Sequence, residues 1–354
     1  MFGKTLKVTA IALGLVVGLT ACDPPMPPEL VAELAERSYT CVDGPVTVAV
    51  PEGMTDMADA WTGTLAEKCP GTQFSYVAAN KPADVVLSAD APVAAQCLAF
   101  ASAPFAIDGT AIVFMSADFS NINLDGAAAA GILTGEITTW DDPALVALNP
   151  DIALPSSKII LDATATQSQI SAIEAWLSRL SKTDVKLSNF KVDNTVGGQD
   201  RLYNMAEGAV SLAAFSDASA ASAYMATIVT GNDSTVDVVN PDGQSIASAV
   251  TQYKVDKSAT ALTLSLDASL APTPPMGSDT APAPYQAIYP VNMWLCGKDN
   301  LNARALARFL LRQDTQGNIA GGTSIPLSAA IRLKAISVIE TGLPSPSPVA
   351  STSN

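Results

Sequence analysis

Histidine is absent from the 354 residues of this chain, so the groups left to do chemistry are hydroxyls, carboxylates and five cysteines. That composition removes Ser-His-Asp and Cys-His catalysis, most zinc chemistry and any histidine pH switch. No other nucleophile–base pair and no metal-ligand cluster emerges, which predicts a chain that binds rather than catalyses, with no cofactor and no metal. Asp141-Asp142 could suggest a cation site. Asp142 followed by Pro143 reads more simply as a helix N-cap with proline at the first helical position. Gly197-Gly198 reads as a turn. Trp61, Trp140, Trp176 and Trp294 read as core or cleft wall, since two of them lie on apolar helix faces.

Acids outnumber bases 34 to 19, and charged residues are only 15% of the chain. No run of Lys or Arg occurs beyond the extreme N-terminus, so the protein should repel nucleic acid and anionic membrane surfaces. A hydrophobic content of 48% supports one large or two medium domains with proper cores. The N-terminus reads as a targeting segment. Lys4 and Lys7 form a basic region, and Val8–Leu19 is an apolar stretch too short for a comfortable membrane span. The stretch ends in Leu19-Thr20-Ala21-Cys22, which looks like a bacterial lipobox. It implies a signal peptide over 1–21, cleavage before Cys22 and a lipid on the Cys22 sulfur. Residues 22–40 then form a tether stiffened by Pro24, Pro25, Pro27 and Pro28. Loss of Lys4 and Lys7 leaves 17 bases against 34 acids, a net charge of -17. Cys41, Cys69, Cys97 and Cys296 remain, an even number that suggests two disulfides in one of three pairings. No Cys-x-x-Cys spacing points to redox or metal use.

Several elements must position these groups. Val46–Val50 alternates and is rich in β-branched residues, so it reads as a strand. A helix follows from Thr55, with Met57, Ala60, Trp61 and Leu65 on one face. Phe74–Val77 and Asp84–Leu87 are further strands, the latter apolar throughout as in a buried parallel strand. This β-α-β-α-β order argues an α/β domain. Phe105–Phe114 makes a long strand that could leave the first domain. Helices are predicted near Gly126–Leu133 and Pro143–Leu148, then a buried strand at Ile159–Leu161. Ser168–Ser181 is an amphipathic helix with Ile170, Ile173, Trp176, Leu177 and Leu180 on one side. Strands at Val210–Phe215 and Tyr289–Trp294, a proline-rich loop at Pro272–Pro284, and helices at Leu301–Arg312 and Leu327–Thr341 complete the pattern. Glu29–Ser38 reads as one or two helical turns, and 343–354 as a disordered tail.

Gly131-Ile132-Leu133-Thr134-Gly135-Glu136-Ile137-Thr138-Thr139-Trp140-Asp141-Asp142-Pro143 resembles the PstS-like phosphate-binding proteins of ABC importers. Asn149-Pro150, Leu154-Pro155 and Lys158-Ile159 continue the match, and Ala103–Val113 precedes it. Gly197-Gly198-Gln199, Gly208–Leu212, Tyr289-Pro290, Phe309-Leu310 and Ile325–Leu327 follow in the family's order. The resemblance covers roughly 45–342. It implies an α/β, two-lobed periplasmic-binding-protein-like fold of type II, each lobe a mixed sheet flanked by helices. Two crossing strands would join lobe 1 (41–110 plus 285–342) to lobe 2 (111–284), with ligand between them and closure about the hinge. In that fold Cys41 with Cys69 and Cys97 with Cys296 is the favoured pairing, because each pair can lie at neighbouring element ends.

Members of that family hold anion oxygens with hydroxyls and with backbone N–H groups at helix N-termini, where the helix dipole favours negative charge. The resemblance places Thr55, Ser88, Asp90, Thr166 and Ser168 in the ligand loops. Asp90 would accept the proton of a bound hydrogen phosphate, as the aspartate of the family's Ser-Asp-Ala-Pro loop does. Thr55 and Ser168 also read as plain N-caps, and Asp90 as one too. The third loop departs from the family. Where its members carry Arg-Ser-Asp-Gly-Ser-Gly-Thr, this chain has Asp162-Ala163-Thr164-Ala165-Thr166-Gln167-Ser168. Exchanging a charge-assisted donor for a carboxylate removes roughly 1.5–3 kcal/mol and adds repulsion. Glu52 and Asp56 add more negative charge. Lys158 and Arg201 could lean in as substitutes, but surface placement is the simpler expectation for both.

These readings lead to an extracytoplasmic, lipid-anchored solute-binding protein that takes phosphate or a related small polar solute and serves an ABC permease or another membrane complex. The alternative is a degenerate binding-protein fold acting as an accessory or scaffold lipoprotein without anion binding.

Overall fold

The computed structural model describes residues 37–345 apart from 233–234, 275–277 and 322–323. The predicted signal peptide, Cys22, most of the tether and the last nine residues lie outside the described residues. Among the described residues no helix is long and apolar enough to cross a membrane.

The chain enters through β1 (Gly44–Val50), helix α1 (Thr55–Lys68), β2 (Thr72–Ala78) and β3 (Val85–Ser88). β1 lies between β2 and β3 and runs parallel to both. That arrangement buries Val46, Val48, Val85 and Leu87 and explains their apolar runs. α1 covers the sheet with Ala58, Trp61 and Leu65; Ala58 faces inward, and Ala60, expected on the buried face, is exposed.

The next strand, β4 (Ala99–Phe114), is 16 residues long and buried along nearly its whole length. It is followed by β5 (Asn123–Leu124), α2 (Gly126–Thr134) and α3 (Pro143–Leu148). Asp142 caps α3 by accepting from Ala144 N at 2.9 Å, with Pro143 in the first turn, as the sequence predicts. β6 (Ile160–Asp162), β7 (Thr164–Ala165), α4 (Gln167–Ser181) and β8 (Lys191–Val192) come next. β6 was expected to be buried, but it pairs on only one side, with β9, and leaves Ile160 52% exposed. Then follow α5 (Gln199–Tyr203), β9 (Ala209–Ala214) and α6 (Phe215–Ala220). Short strands β10 (Tyr224–Met225), β11 (Thr227–Asn232) and β12 (Thr235–Val239), helix α7 (Gly243–Val250) and the hairpin β13 (Tyr253–Lys257) and β14 (Leu262–Leu266) fill a region where the sequence alone suggests no elements. β15 (Ile288–Cys296), α8 (Leu301–Leu310), α9 (Gln313–Gly321), β16 (Ile325–Pro326) and α10 (Ala329–Ile339) finish the fold.

The long sheet has the order β2-β1-β3-β15-β4-β9-β6. β15 inserts antiparallel between β3 and β4, reaching Gly109 at its Ile288 end. From Thr110 onward β4 instead pairs antiparallel with β9, which is parallel to β6. One strand therefore serves two mixed sheets, changing partners between Gly109 and Thr110. The return passage is the segment before β15, where Tyr285 N donates to Ser245 O of α7 and Ala287 O accepts from Thr110 N. This is the two-lobed α/β architecture expected from the sequence.

Two disulfides pin lobe edges: Cys41–Cys69, at the end of α1, and Cys97–Cys296, at the end of β15. They match the favoured pairing. Three arginines spaced one turn apart anchor α8. Arg304 binds Asp299 and the Val338 and Ile339 carbonyls, Arg308 binds Glu340, and Arg312 binds Asp314 and the Ser38 carbonyl.

Candidate functional site

Helix α4 begins with a capping box. Thr166 Oγ1 accepts from Gln169 N at 3.2 Å, and Gln169 Oε1 accepts from Thr166 N at 3.0 Å. Thr166 rather than Ser168 is thus the N-cap, which corrects the plain reading of Ser168. The box fixes Gln169, which is buried and hydrogen-bonded to the Tyr289 hydroxyl. It also turns Ser168, in the first turn, toward the loop after β3, where its hydroxyl donates to Asp90 Oδ1 at 2.7 Å. These residues are 78 positions apart in sequence. Asp90 is itself held by its loop: Ser88 Oγ donates to the Asp90 carbonyl at 2.7 Å, and Trp294 Nε1 donates to the Ser88 carbonyl at 3.2 Å.

The structure brings Asp90 and Ser168 together and gives the other three predicted residues local partners. Ser88 braces the Asp90 backbone. Thr166 caps α4. Thr55 Oγ1 donates to Glu52 O at 3.0 Å, inside its own loop. Thr55 is the first helical residue of α1, and Met54 occupies the cap position without a side-chain cap, so Thr55 is not the N-cap.

Three residues that the sequence reading did not single out complete the neighbourhood. Asp108 sits on β4 one residue before that strand begins to change partners, and it is only 4% exposed. Its carboxylate accepts from Gly109 N at 2.7 Å, Ser216 N at 3.1 Å and Ser216 Oγ at 2.5 Å. Burial pushes the Asp108 carboxyl up to about 7, against the opposing pull of those hydrogen bonds. Asp217 accepts from Gly198 N at 2.8 Å, and burial raises its carboxyl too. Tyr289 is paired with Asp108 across β15 and β4. Burial raises its hydroxyl well above the ordinary range, with Asp108, Asp217 and Asp90 adding to the effect. A signal for Asp108 was present in the sequence: it is the one charged residue in the apolar run Phe105–Phe114.

The Gly197-Gly198 turn closes against the first loop. Gly198 has φ 84°, and a Cβ there would stand 2.7 Å from Glu52 Oε2. The positive φ favours glycine there, while the Glu52 carboxylate, at the end of an exposed side chain, could swing aside. Several backbone donors around this neighbourhood are already met by the protein: Gly198 N by Asp217, Ser216 N by Asp108, and Gln167 N and Gln169 N of α4 by Asn194 and Thr166.

Asp162 is paired with Arg201. Arg201 Nη2 donates to Asp162 Oδ2 at 2.8 Å and Nε to the same oxygen at 3.2 Å. The guanidinium also donates to Ser211 Oγ and to the Thr164 and Leu212 carbonyls. Arg201 was expected at the surface; its side chain is only 19% exposed because these acceptors draw it inward. Lys158 is exposed, as expected. Among the described residues no group of acids and cysteines is placed to hold a metal ion.

A cavity of about 380 Å³ lies beside the Ser168–Asp90 bond, lined also by Tyr289 and by the β13–β14 hairpin. Asp90 is the one charged residue in its lining. Such a site accepts hydrogen bonds readily and offers an anion little charge compensation.

No protein-family model matches this chain. Over 128 residues it is 33% identical to the phosphate-binding protein PstS 3 of Mycobacterium tuberculosis H37Rv, and over 128 residues 30% identical to PstS 3 of Mycobacterium leprae. Over this segment the chain is similar to PstS phosphate-binding proteins. Each match spans 30% of the chain and 35% of the relative, about a third of the length of the curated proteins. The solved structures extend the likeness to the fold. A periplasmic phosphate-binding protein, PfluDING, aligns with TM-score 0.54 at 14% identity over 82% of this chain and 92% of its own. A Clostridium perfringens phosphate ABC transporter substrate-binding protein aligns with TM-score 0.50 at 11% identity, over 80% of this chain and 100% of its own. At such identities the fold is what these structures share with this chain.

Proposed function

We propose that this protein is an extracytoplasmic solute-binding lipoprotein, lipid-anchored through Cys22, that receives phosphate or a related small polar solute in a cleft between its lobes. The Ser168–Asp90 hydrogen bond carries this reading. With lobe 1 at 41–110 plus 285–342 and lobe 2 at 111–284, that bond joins one lobe to the other at the place where the family binds ligand. The chain binds and does not catalyse. Its partner is an ABC permease or another membrane complex that recognises the closed form. Kinship with phosphate-binding proteins and the two-lobed fold support the assignment.

One observation favours a second reading. The Asp162–Arg201 pair occupies the position of the family's ligand-binding arginine and leaves Arg201 fully engaged with protein acceptors. A protein so arranged could serve as an accessory or scaffold lipoprotein that binds no anion. Thermal unfolding with and without millimolar phosphate, sulfate and amino acids separates the two, because a ligand that binds only the folded state raises Tm. A rise with any one solute supports the first reading. No rise with any of them, together with co-purification of a membrane complex, would establish the second. Metabolic labelling with a fatty acid, lost in Cys22→Ser, tests the anchor.

A further inference from the structure

The cavity beside Ser168 and Asp90 has two unlike walls. Asp90, Gln167, Ser168 and Ser171 form the polar one. Leu264 and Leu266 of the hairpin, with Ile288 and Pro290, form the apolar one. At about 380 Å³ the space is open to solvent on one side and wide enough to seat a small organic molecule against both walls. Asp90 is the only acid among its lining residues, and no lysine or arginine lines it. Ser168 occupies Asp90 Oδ1, and Oδ2 accepts no hydrogen bond from the described residues. Tyr253, on the hairpin, also lines the cavity. Its residue is 9% exposed, and its hydroxyl is buried without a hydrogen-bond partner. With no accessible surface, that hydroxyl does not open onto the cavity, and Tyr253 contributes only apolar wall.

We infer that this cavity selects a small organic solute with hydrogen-bond donors on a short hydrocarbon frame, an alcohol or an amine, in preference to an inorganic anion. The inference rests on the solute-binding reading above and names its ligand class. A donor group on the solute binds the free oxygen of Asp90. Its carbon frame lies on Leu264, Leu266 and Ile288. An oxyanion would face Asp90 with no cation in the wall to offset it.

The test uses the purified protein with four probes: pentanediol, diaminopentane on the same carbon frame, inorganic phosphate and sulfate. Binding is read by titration calorimetry and by the shift in Tm. Stabilisation by the diol or the diamine, at least tenfold tighter than by phosphate, is the expected result, and the stronger of the two identifies the donor. Stabilisation by phosphate alone overturns the inference and leaves the solute-binding reading standing. No shift with any probe overturns the inference, and it defeats that reading too if the amino acids named above also fail. Asp90→Asn supplies an independent check. It should weaken the organic probe about tenfold, because the acceptor charge is gone, without weakening phosphate. Unchanged probe affinity in that variant would overturn the proposed contact with Asp90.

Discussion

Asp108 holds the start of helix α6 through Ser216, whose backbone N–H and hydroxyl both donate to the one carboxylate across 108 residues of sequence. Because β4 exchanges β15 for β9 just beyond Asp108, this contact ties the two sheets together at the point where they diverge.

Burying that carboxylate gives stability a pH dependence. The folded-state carboxyl is raised from 3.8 to about 7, so the folded protein holds its proton more tightly than the unfolded chain does. The associated stability is fully present below the unfolded value and is lost as pH rises through about 7. Within that window the slope approaches roughly 1.4 kcal/mol per pH unit. Denaturant unfolding at a series of pH values should show wild type losing stability relative to Asp108→Asn across this range. A constant difference between the two proteins would contradict the assignment.

Arg201 should matter to stability more than an ordinary surface arginine. Arg201→Ala leaves Asp162, Ser211 and two carbonyls without their donor. Since Asp162 is 45% exposed and can rehydrate, the cost should be about 1–3 kcal/mol in chemical denaturation rather than that of a fully buried pair. The double variant Asp162→Asn/Arg201→Ala should recover part of this loss.

The two hydroxyls in the third loop should separate by phenotype. Thr166→Ala removes a capping box and should lower stability by about 1 kcal/mol. Ser168→Ala removes only its bond to Asp90 and should cost less, while altering affinity for whatever solute stabilises the protein. Equal effects of both variants on stability and on affinity would refute this division.

The disulfides should differ in weight. Cys97–Cys296 closes a loop of 199 residues and Cys41–Cys69 one of 28. On chain entropy alone, replacing the first pair by serine should cost roughly 5 kcal/mol and the second roughly 3.5. Equilibrium unfolding of the two double-serine variants measures both.

Much of this fold was legible because its buried parts obey simple periodicities. Val85–Leu87 and Phe105–Phe114 are apolar because both faces are covered, and Ile170, Ile173, Trp176 and Leu177 repeat at helical spacing. The region from Tyr224 to Leu266 was not legible. Strands such as Tyr253–Lys257, where only Tyr253 is buried, alternate weakly and carry charges on their open face. The candidate site was legible only in part. Asp90 and Ser168 lie in loops whose order follows the family. Their partners Asp108, Ser216 and Tyr289 come from distant strands and helices, and only the folded register brings them close. Arg201 was misplaced for the same reason: its acceptors on β6, β7 and β9 are 10 to 39 positions away.

The insertion of β15 between β3 and β4 also has a consequence for assembly. β3 and β4 are close in sequence, yet the strand that joins them arrives almost 200 residues later. A chain emerging from its N-terminus can form β1, β2 and β3 early, but β4 must wait with one long edge unpaired until Cys296 has emerged. Closure of so long a loop makes folding slow and leaves a sticky intermediate. Truncation anywhere before β15 therefore leaves the Ala99–Gly109 part of β4 without its partner, however much of the N-terminal sheet has already formed.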